Sequence, residues 1–251
     1  MQISNTPKGM QVFIPMIFLF LIATGSSALA VDGVREISQA CVATGCFPGD
    51  TAGFPVTLRK AGSYTLTSNL DVTDETDPED VTAIVINTTT DHEGVVIDLN
   101  GFSIIGPTTC SIGTPPTSCS PLGSGIGIDG NDNRVTVRNG RIFGMGDDGV
   151  QLFSAGRVED MSIESCGGDG IQSTQASLFL NNVTRRNGGN GISAGEDSLV
   201  KGNIIHGNIG VGILGNNFMG YGHNVINDNT GGAVSAGVQI ANNLCDNALC
   251  P

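Results

Sequence analysis

From about residue 124 onward, a glycine followed by an aliphatic residue returns at nearly constant intervals. Successive glycines of this marker are separated by 24, 21, 21, 21 and 20 residues, namely Gly125, Gly149, Gly170, Gly191, Gly212 and a degenerate Gly232. Chance placement of 37 glycines among 251 residues would not hold that spacing. A repeat of this length is typical of a solenoid, in which each unit packs only against its neighbours.

Each repeat has the same internal order. An alternating apolar stretch such as 158–163 comes first, an asparagine-flanked segment such as 203–208 follows, and a glycine-rich turn such as 188–191 closes the unit. Alternation is typical of short half-buried strands. About 21 residues accommodate three strands and three bends, so successive coils are expected to pair in parallel at a rise of ~4.8 Å. We expect glycine and asparagine to supply positive φ at the bends, and inward asparagines to stack into ladders.

The sequence therefore predicts an all-β solenoid made of single parallel coils. Leucine-rich repeats share the period, but they require a leucine framework that this chain lacks. The strand–glycine–asparagine unit and the segment 95–102 resemble the right-handed parallel β-helix, or pectin-lyase-like, superfamily. The resemblance spans roughly residues 61–244, and it implies right-handed winding, which the spacing alone does not give.

The first thirty residues are typical of a signal peptide. Lys8 supplies a positive charge, residues 12–23 form an apolar run interrupted by Pro15, and Ala28-Leu29-Ala30 matches a cleavage site. The run is too short to span a bilayer well. We therefore expect a signal peptide over 1–30, a cap over 31–60, a β-helix over 61–244 and a second cap over 245–251. The mature chain would be secreted, periplasmic or at the cell surface, with no transmembrane segment after cleavage.

Cysteine usage agrees with export. Six cysteines form three sequence-local pairs and leave Cys166 over: Cys41 with Cys46, Cys110 with Cys119, and Cys245 with Cys250. Six cysteines allow fifteen connectivities, so local pairing is only the simplest choice. The outer two pairs are expected to staple the capped ends of the solenoid, where unpaired strand edges need cover. The middle pair is expected to staple a loop inserted over 107–123. No zinc spacing is present, and Cys166 is expected to be a buried inert thiol.

The charge balance excludes one class of partner. The formal net charge is −13, and it becomes −14 without the first thirty residues, whose charged side chain is Lys8. Such a surface repels phosphate backbones, so nucleic acid is not expected as a partner. It also repels polyuronates unless a cation intervenes.

Aligning the coils on their markers produces a column of residues that could bind a ligand or take part in catalysis. Six positions before the marker lie Phe143, Glu164, Arg185 and His206, and Asn227 joins them if the last repeat carries a one-residue deletion. Their neighbours Ile142, Ile163 and Ile205 alternate with them, so the column is expected to face outward. An acid, a guanidinium and an imidazole ~5 Å apart could bind or cleave an acidic polymer. An ordinary ion pair on a solvated face remains the alternative.

A second candidate site lies in the turn before the marker. Asp147, Asp148 and Asp169 come together there, with Asn190 in register. Carboxylates at strand spacing could bind substrate, hold calcium or hydrolyse a glycoside. Turn chemistry explains the pattern as well, because Asp-Gly and Asn-Gly suit a tight left-handed turn. The acidic run 71–80 is expected to be a solvated loop, with calcium binding as its alternative.

Comparison with the enzymes of this superfamily mostly argues against catalytic functions. Asp147-Asp148 and His206-Gly207 are similar to motifs of polygalacturonase-like hydrolases, but their Asn-Thr-Asp and Arg-x-Lys segments are absent. The chain also lacks the tryptophan motif of pectate lyases and the signature of alginate epimerase modules, and it has two tyrosines in all. We therefore expect an exported binding or structural module, with polysaccharide as the expected target of a binding module. A polysaccharide lyase or glycoside hydrolase is the first alternative, and a purely structural solenoid is the second. No cofactor is expected, and calcium is the one ion that the pattern admits.

Overall fold

A computed structural model describes residues 33–88, 94–246 and 248–250, so the predicted signal peptide lies outside the described residues. Within them, short strands pair almost entirely in parallel, each with the equivalent strand of the next coil. This confirms the predicted parallel β-helix. Its helices are short, an α-helix at Gln39–Val42 and a 3-10 helix at Pro78–Asp80. No helix in the described part of the chain is long and apolar enough to cross a membrane.

The coils have three faces, and the first face follows the glycine marker. Its strands form one seven-stranded sheet. They are Val56–Leu58, Ile84–Ile86, Ile128–Asn133, Val150–Ser154, Ile171–Gln175, Ile192–Glu196 and Ile213–Leu214.

The second and third faces belong to one continuous sheet, because two long strands, Val135–Phe143 and Arg157–Glu164, run around the corner between them. The second face otherwise contains Arg35–Ile37, Gly62–Leu66, Val95–Asp98, Leu178–Leu180, Leu199–Lys201, Gly220–Gly222 and Val238–Gln239. The third face otherwise contains Leu70–Asp71, Ser103–Ile105, Val183–Arg185, Ile204–His206, Val225–Asn227 and Leu244–Cys245, with Ala248–Leu249 added antiparallel.

The core is a stack of inward side chains to which all three faces contribute. Val150, Ile171, Ile192 and Ile213 form the column of the first face, and each of them is fully buried. The second face adds a column that includes Phe179, and the third adds one that includes Ile163. Because the strands of the regular coils bury alternate residues, the direction of the outward residues between them is fixed as well.

The strand pairing corrects the position of the marker in the first and in the last repeat. Ile128 pairs with Val150, so the first marker glycine is Gly127 and not Gly125. Ile213 bridges Val234, so Ala233 takes the place predicted for Gly232. Asn227 therefore joins the column without the one-residue deletion that the Gly232 marker would require. The sequence misled because Gly125 lies only two residues, and Gly232 only one residue, from the true position.

Buried asparagines form the predicted ladders. In one ladder, the backbone N–H of Asn182 donates to Oδ1 of Asn203 at 2.8 Å, and that of Asn203 donates to Oδ1 of Asn224 at 2.9 Å. A second ladder joins Asn187, Asn208 and Asn229 in the same way. These amides satisfy backbone groups where the chain bends and the strand ladder is interrupted.

The bends themselves depart from expectation. Left-handed residues occupy all three corners, but several are not glycine or asparagine, such as Ala155, Ala176, Ser165 and Arg186, with φ between 51° and 58°. The repeat glycines serve a different purpose. At Gly189 an added Cβ would lie 2.8 Å from the carbonyl carbon of Gly168 in the preceding coil. Glycine is needed at that position because neighbouring coils approach closely, not because φ is positive.

Three disulfides are formed as the simplest pairing predicts, Cys41–Cys46, Cys110–Cys119 and Cys245–Cys250. The first joins Cys41, within the short α-helix near the N-terminal end, to Cys46, and the last closes the antiparallel turn at the other end. Parallel pairing already starts at Arg35, which pairs with Tyr64. The ladder therefore begins inside the segment that the sequence assigns to the cap. Cys166 is a buried free thiol, as predicted, and burial raises its pKa to about 12.

Candidate functional site

The predicted column on the third face is present in full. Phe143 pairs with Glu164, Glu164 with Arg185, Arg185 with His206, and His206 with Asn227. Their neighbours Ile142, Ile163 and Ile205 are buried, so the column lies on the outside of the coil. We call Glu164, Arg185 and His206 the charged column.

Glu164 is the anchor of the charged column. Its Oε2 accepts a hydrogen bond from Arg185 Nη2 at 2.7 Å and lies 4.0 Å from Arg141 Nη2. The Glu164 side chain is 12% exposed, whereas those of Arg185 and Arg141 are 46% and 54% exposed. Glu164 therefore orients two cations toward solvent and is not itself an unpaired base.

His206 is separated from Glu164 by a whole coil. Its Nδ1 lies 3.5 Å from Oδ2 of Asp228, and its side chain is 39% exposed. Two strand spacings of ~4.8 Å put the backbones of Glu164 and His206 roughly 10 Å apart. The two groups cannot act on the same atom as a hydrogen-bonded acid–base pair, which needs about 3 Å between heavy atoms.

The inserted loop 107–123 runs along one side of the charged column. It contains a small antiparallel pair, Thr109–Cys110 with Cys119–Ser120, closed by its disulfide. The N–H of Thr108 donates to the carbonyl of Gly144 at 2.7 Å, one residue beyond Phe143. Arg186 Nη2 donates to the carbonyl of Ser111 at 3.0 Å. Farther along, a Cβ on Gly207 would lie 3.0 Å from Cγ2 of Thr114. The loop therefore follows the corner next to Phe143, Arg185 and His206 and forms a wall beside the column.

The three aspartates of the turn also come together, but as a structural ladder. The N–H of Asp169 donates to Asp148 Oδ1 at 2.6 Å, and the N–H of Asn190 donates to Asp169 Oδ1 at 2.6 Å. Asn190 Oδ1 then accepts from the N–H of Val211. Asp147 lies one position earlier, and a methyl group on Gly168 would collide with Oδ1 of both Asp147 and Asp148.

Burial changes the titration of this cluster. Asp148 is 6% exposed, and burial, opposed by its backbone hydrogen bond, raises its pKa to about 7. Burial also raises the pKa of Asp147 and of Asp169. A carboxyl with such a pKa can be a general acid only if substrate reaches it. The covered position of Asp148 and its use by the next coil favour a structural role.

Metal binding finds no support in the described residues, where no group of three or more His, Cys, Asp or Glu side chains could hold an ion. Two carboxylates of the acidic run 71–80 accept hydrogen bonds from other residues of the chain. Oδ1 of Asp71 accepts from Thr73, and Oδ1 of Asp80 accepts from the N–H of Ser124 at 2.8 Å.

Sequence reasoning missed a hollow on the second face. It has a volume of about 350 Å³, and it is lined by Val34, Glu36, Ser63, Tyr64, Thr65, Val96, Asp98 and Arg138. These residues precede or begin the regular repeats, so no marker gave their register. The alternation of 62–66 and 95–98 was visible, but which strand follows which could not be read from it.

One family of known proteins matches the regular repeats. A family model described as a right-handed beta helix region matches residues 124–248. The chain belongs to the right-handed β-helix proteins. This match begins where the 21-residue repeat begins, and it supplies the handedness that repeat spacing alone left open. No curated protein and no solved structure matches this β-helix chain.

Proposed function

We propose that the protein is an exported, noncatalytic module that binds a linear polysaccharide along its third face. The observation that carries the proposal is the charged column beside the loop 107–123. Arg185 and His206 are neighbours in the strand ladder, partly exposed, and bordered by a wall that follows them over successive coils. A binding surface needs such fixed polar groups next to a shape that limits how the ligand lies.

The spacing of the column suits a polymer. Successive coils repeat at ~4.8 Å, which is comparable to the length of one sugar unit in an extended chain. A polysaccharide lying along the axis would present one unit to each coil. Glu164 holds Arg185 in place, so less side-chain entropy is lost when the guanidinium donates to a hydroxyl or a carboxylate.

Local charge differs from the charge of the whole molecule. Arg141 and Arg185 lie beside Glu164, so this part of the third face has two cations for one carboxylate in a chain whose net charge is −13. An acidic sugar would be repelled elsewhere and attracted here. The polymer can therefore be neutral or acidic, and the remaining acidic surface disfavours nucleic acid.

Catalysis is the second candidate, and the geometry gives it less support. Glu164 is paired with Arg185, His206 lies two spacings from Glu164, and Asp148 is buried. Hydrolysis of a glycoside by the usual route needs two carboxyl groups on either side of the scissile bond, both within reach of it.

Export is part of the proposal and is favoured by three disulfides, which persist in oxidising compartments.

A panel of acidic and neutral polysaccharides, tested by affinity electrophoresis with and without calcium, measures the proposed activity. We expect retardation by at least one polymer, weakened about tenfold by Arg185→Ala through loss of a charge-assisted hydrogen bond. Lys201→Ala, an exposed cation on the second face, is the matched control and should bind like the wild type. Release of unsaturated or reducing ends would instead show that the protein is an enzyme. If no polymer retards the protein and no ends are released, the purely structural role is favoured.

A further inference from the structure

The hollow on the second face is built from two outward columns over the first coils. Glu36 pairs with Thr65, Thr65 with Asp98, and Asp98 with Arg138, which makes one column. Ser63 and Val96 are paired in the neighbouring column. Because the hollow and the charged column are on different faces, a ligand in the hollow is independent of the proposed polysaccharide site.

Two carboxylates form opposite walls of this hollow. Thr65 lies between Glu36 and Asp98 in the ladder, so the two acidic residues are two strand spacings, roughly 10 Å, apart at the backbone. Thr65 and Ser63 place hydroxyl groups between them, and Val96 adds an apolar patch. The small side chains in the middle create the depression, because their longer neighbours rise on both sides.

One wall is held rigidly and the other is free. Asp98 Oδ1 accepts from the N–H of Asn100 at 2.8 Å and from Asn139 Nδ2 at 3.0 Å, while its Oδ2 accepts from Arg138 Nε at 3.0 Å. Within the described ranges, the Glu36 carboxylate has no hydrogen-bond or ion-pair partner. The hollow therefore combines a preorganised acceptor, an exposed guanidinium and an uncommitted acceptor.

We propose that this hollow binds a single unit of a neutral hexopyranose sugar. Hydroxyl groups at opposite sides of the ring donate to Glu36 and Asp98, Arg138 donates to a ring or hydroxyl oxygen, and Thr65 bonds a hydroxyl at the floor. The C–H face of the ring packs on Val96. The volume of about 350 Å³ lies at the small end of ligand pockets, as one ring requires. A uronate is disfavoured because the hollow has two carboxylates, Glu36 and Asp98, and one guanidinium, Arg138, and so carries a net negative charge.

Affinity is expected to be weak, at the millimolar level, because no aromatic ring among the described residues offers a stacking surface here: Tyr64 is buried and its hydroxyl donates to the carbonyl of Lys60. Nuclear magnetic resonance detects such binding. Cellotetraose, maltotetraose and mannotetraose are titrated into the isotopically labelled chain, with trigalacturonate as the acidic counterpart. We expect at least one neutral tetrasaccharide to shift the amides of Arg35–Ile37, Gly62–Leu66 and Val95–Asp98, and trigalacturonate to leave them unchanged.

Variants assign the effect to the hollow. Thr65→Val and Glu36→Gln should each weaken binding about fivefold, the effect of one lost hydrogen bond. Glu159→Gln, in the same column but beyond the hollow, should not. Arg185→Ala should also leave this site intact, which separates it from the third face. Thermal unfolding of each variant checks the fold. The proposal would be overturned by any of three results. None of the neutral tetrasaccharides shifts these amides, trigalacturonate binds as well as they do, or neither Thr65→Val nor Glu36→Gln weakens binding.

Discussion

The asparagine ladders and the charged column follow the same coils on opposite sides of one backbone. Inside, Asn203 accepts two hydrogen bonds from Asn182 and donates to the carbonyl of Phe179 and to Oδ1 of Asn224. Outside, Arg185 makes one ion pair with Glu164 and remains nearly half exposed. Both sets recur with the period of the coil, yet their polar groups are used very differently.

The difference shows that periodicity alone does not separate structure from function. A repeated residue inside the coil is used up by the backbone of its neighbours, because every buried polar group needs a partner. A repeated residue outside keeps donors and acceptors for a ligand. The aspartates of the turn are intermediate, since Asp148 is buried like the asparagines and yet can carry a charge.

Breaking an inner ladder should have the largest effect on stability. Asn203→Ala leaves the N–H of Asn182 and the carbonyl of Phe179 without their amide partners in the interior. Each unsatisfied buried group costs ~1–3 kcal/mol, and the lost volume adds to this, so we expect a loss of about 4 kcal/mol. Urea unfolding followed by circular dichroism measures it.

The matched control is Asn227→Ala on the outside of the coil. Asn227 continues the charged column, and its side chain is only partly exposed. Its Oδ1 is buried and has no hydrogen-bond partner among the described residues, so truncation breaks no hydrogen bond to this atom. Its truncation should change the free energy of unfolding by less than ~0.5 kcal/mol. Equal losses for the two variants would mean that the inner amides are not the stabilising element we take them to be.

The intermediate case, Asp148, predicts a dependence on pH. Burial raises its pKa from 3.8 to about 7, so the folded chain binds a proton here more tightly than the unfolded chain. The resulting stability is present below pH 4 and is lost as pH rises toward 7. Asp148→Asn should therefore be close to neutral near pH 4 and stabilising by on the order of 3 kcal/mol at pH 8. Asn190, which fills the same slot one coil beyond Asp169, shows that an amide fits.

Urea unfolding at several pH values between 4 and 8 provides the test. The variant should keep part of the slope, because burial raises the pKa of Asp169 in the same direction. Asp197→Asn, an exposed corner residue with φ of 57°, is the control and should leave the slope unchanged. A variant less stable than the wild type at pH 8 would contradict the proposed cost of burying this charge.

Where the repeat is regular, the sequence was sufficient to place side chains. The register of Glu164, Arg185 and His206 followed from marker glycines 21 residues apart, and the pairing of strands confirms it. The inward position of Ile163 followed from alternation. This worked because parallel stacking repeats one geometry, so a single period determines both contact and direction.

Where the repeat is irregular, or where contacts join distant segments, the sequence was not sufficient. Gly125 and Gly127 both precede an isoleucine, and strand pairing is what identifies Gly127 as the marker. The path of the loop 107–123 depends on Arg186 bonding a carbonyl 75 positions earlier, which no local pattern encodes. The hollow near Glu36 depends on the spacing of early coils of unequal length. Long-range contacts of this kind have no periodic signal to follow.

The smallest expected effect belongs to the charged column itself. Glu164→Gln removes the charge that faces Arg141 and Arg185, but both guanidinium groups stay hydrated because they are about half exposed. Exposed ion pairs contribute ~0–1 kcal/mol, so the free energy of unfolding should fall by less than 1 kcal/mol, and salt should abolish the difference. Glu159→Gln, whose carboxylate is 2.6 Å from Arg157 on the second face, is the matched control. If the free energy of unfolding fell as much as in Asn203→Ala, Glu164 would be a stabilising residue like the inner asparagines. The third face would then be part of the stabilising framework and not a surface available to a ligand.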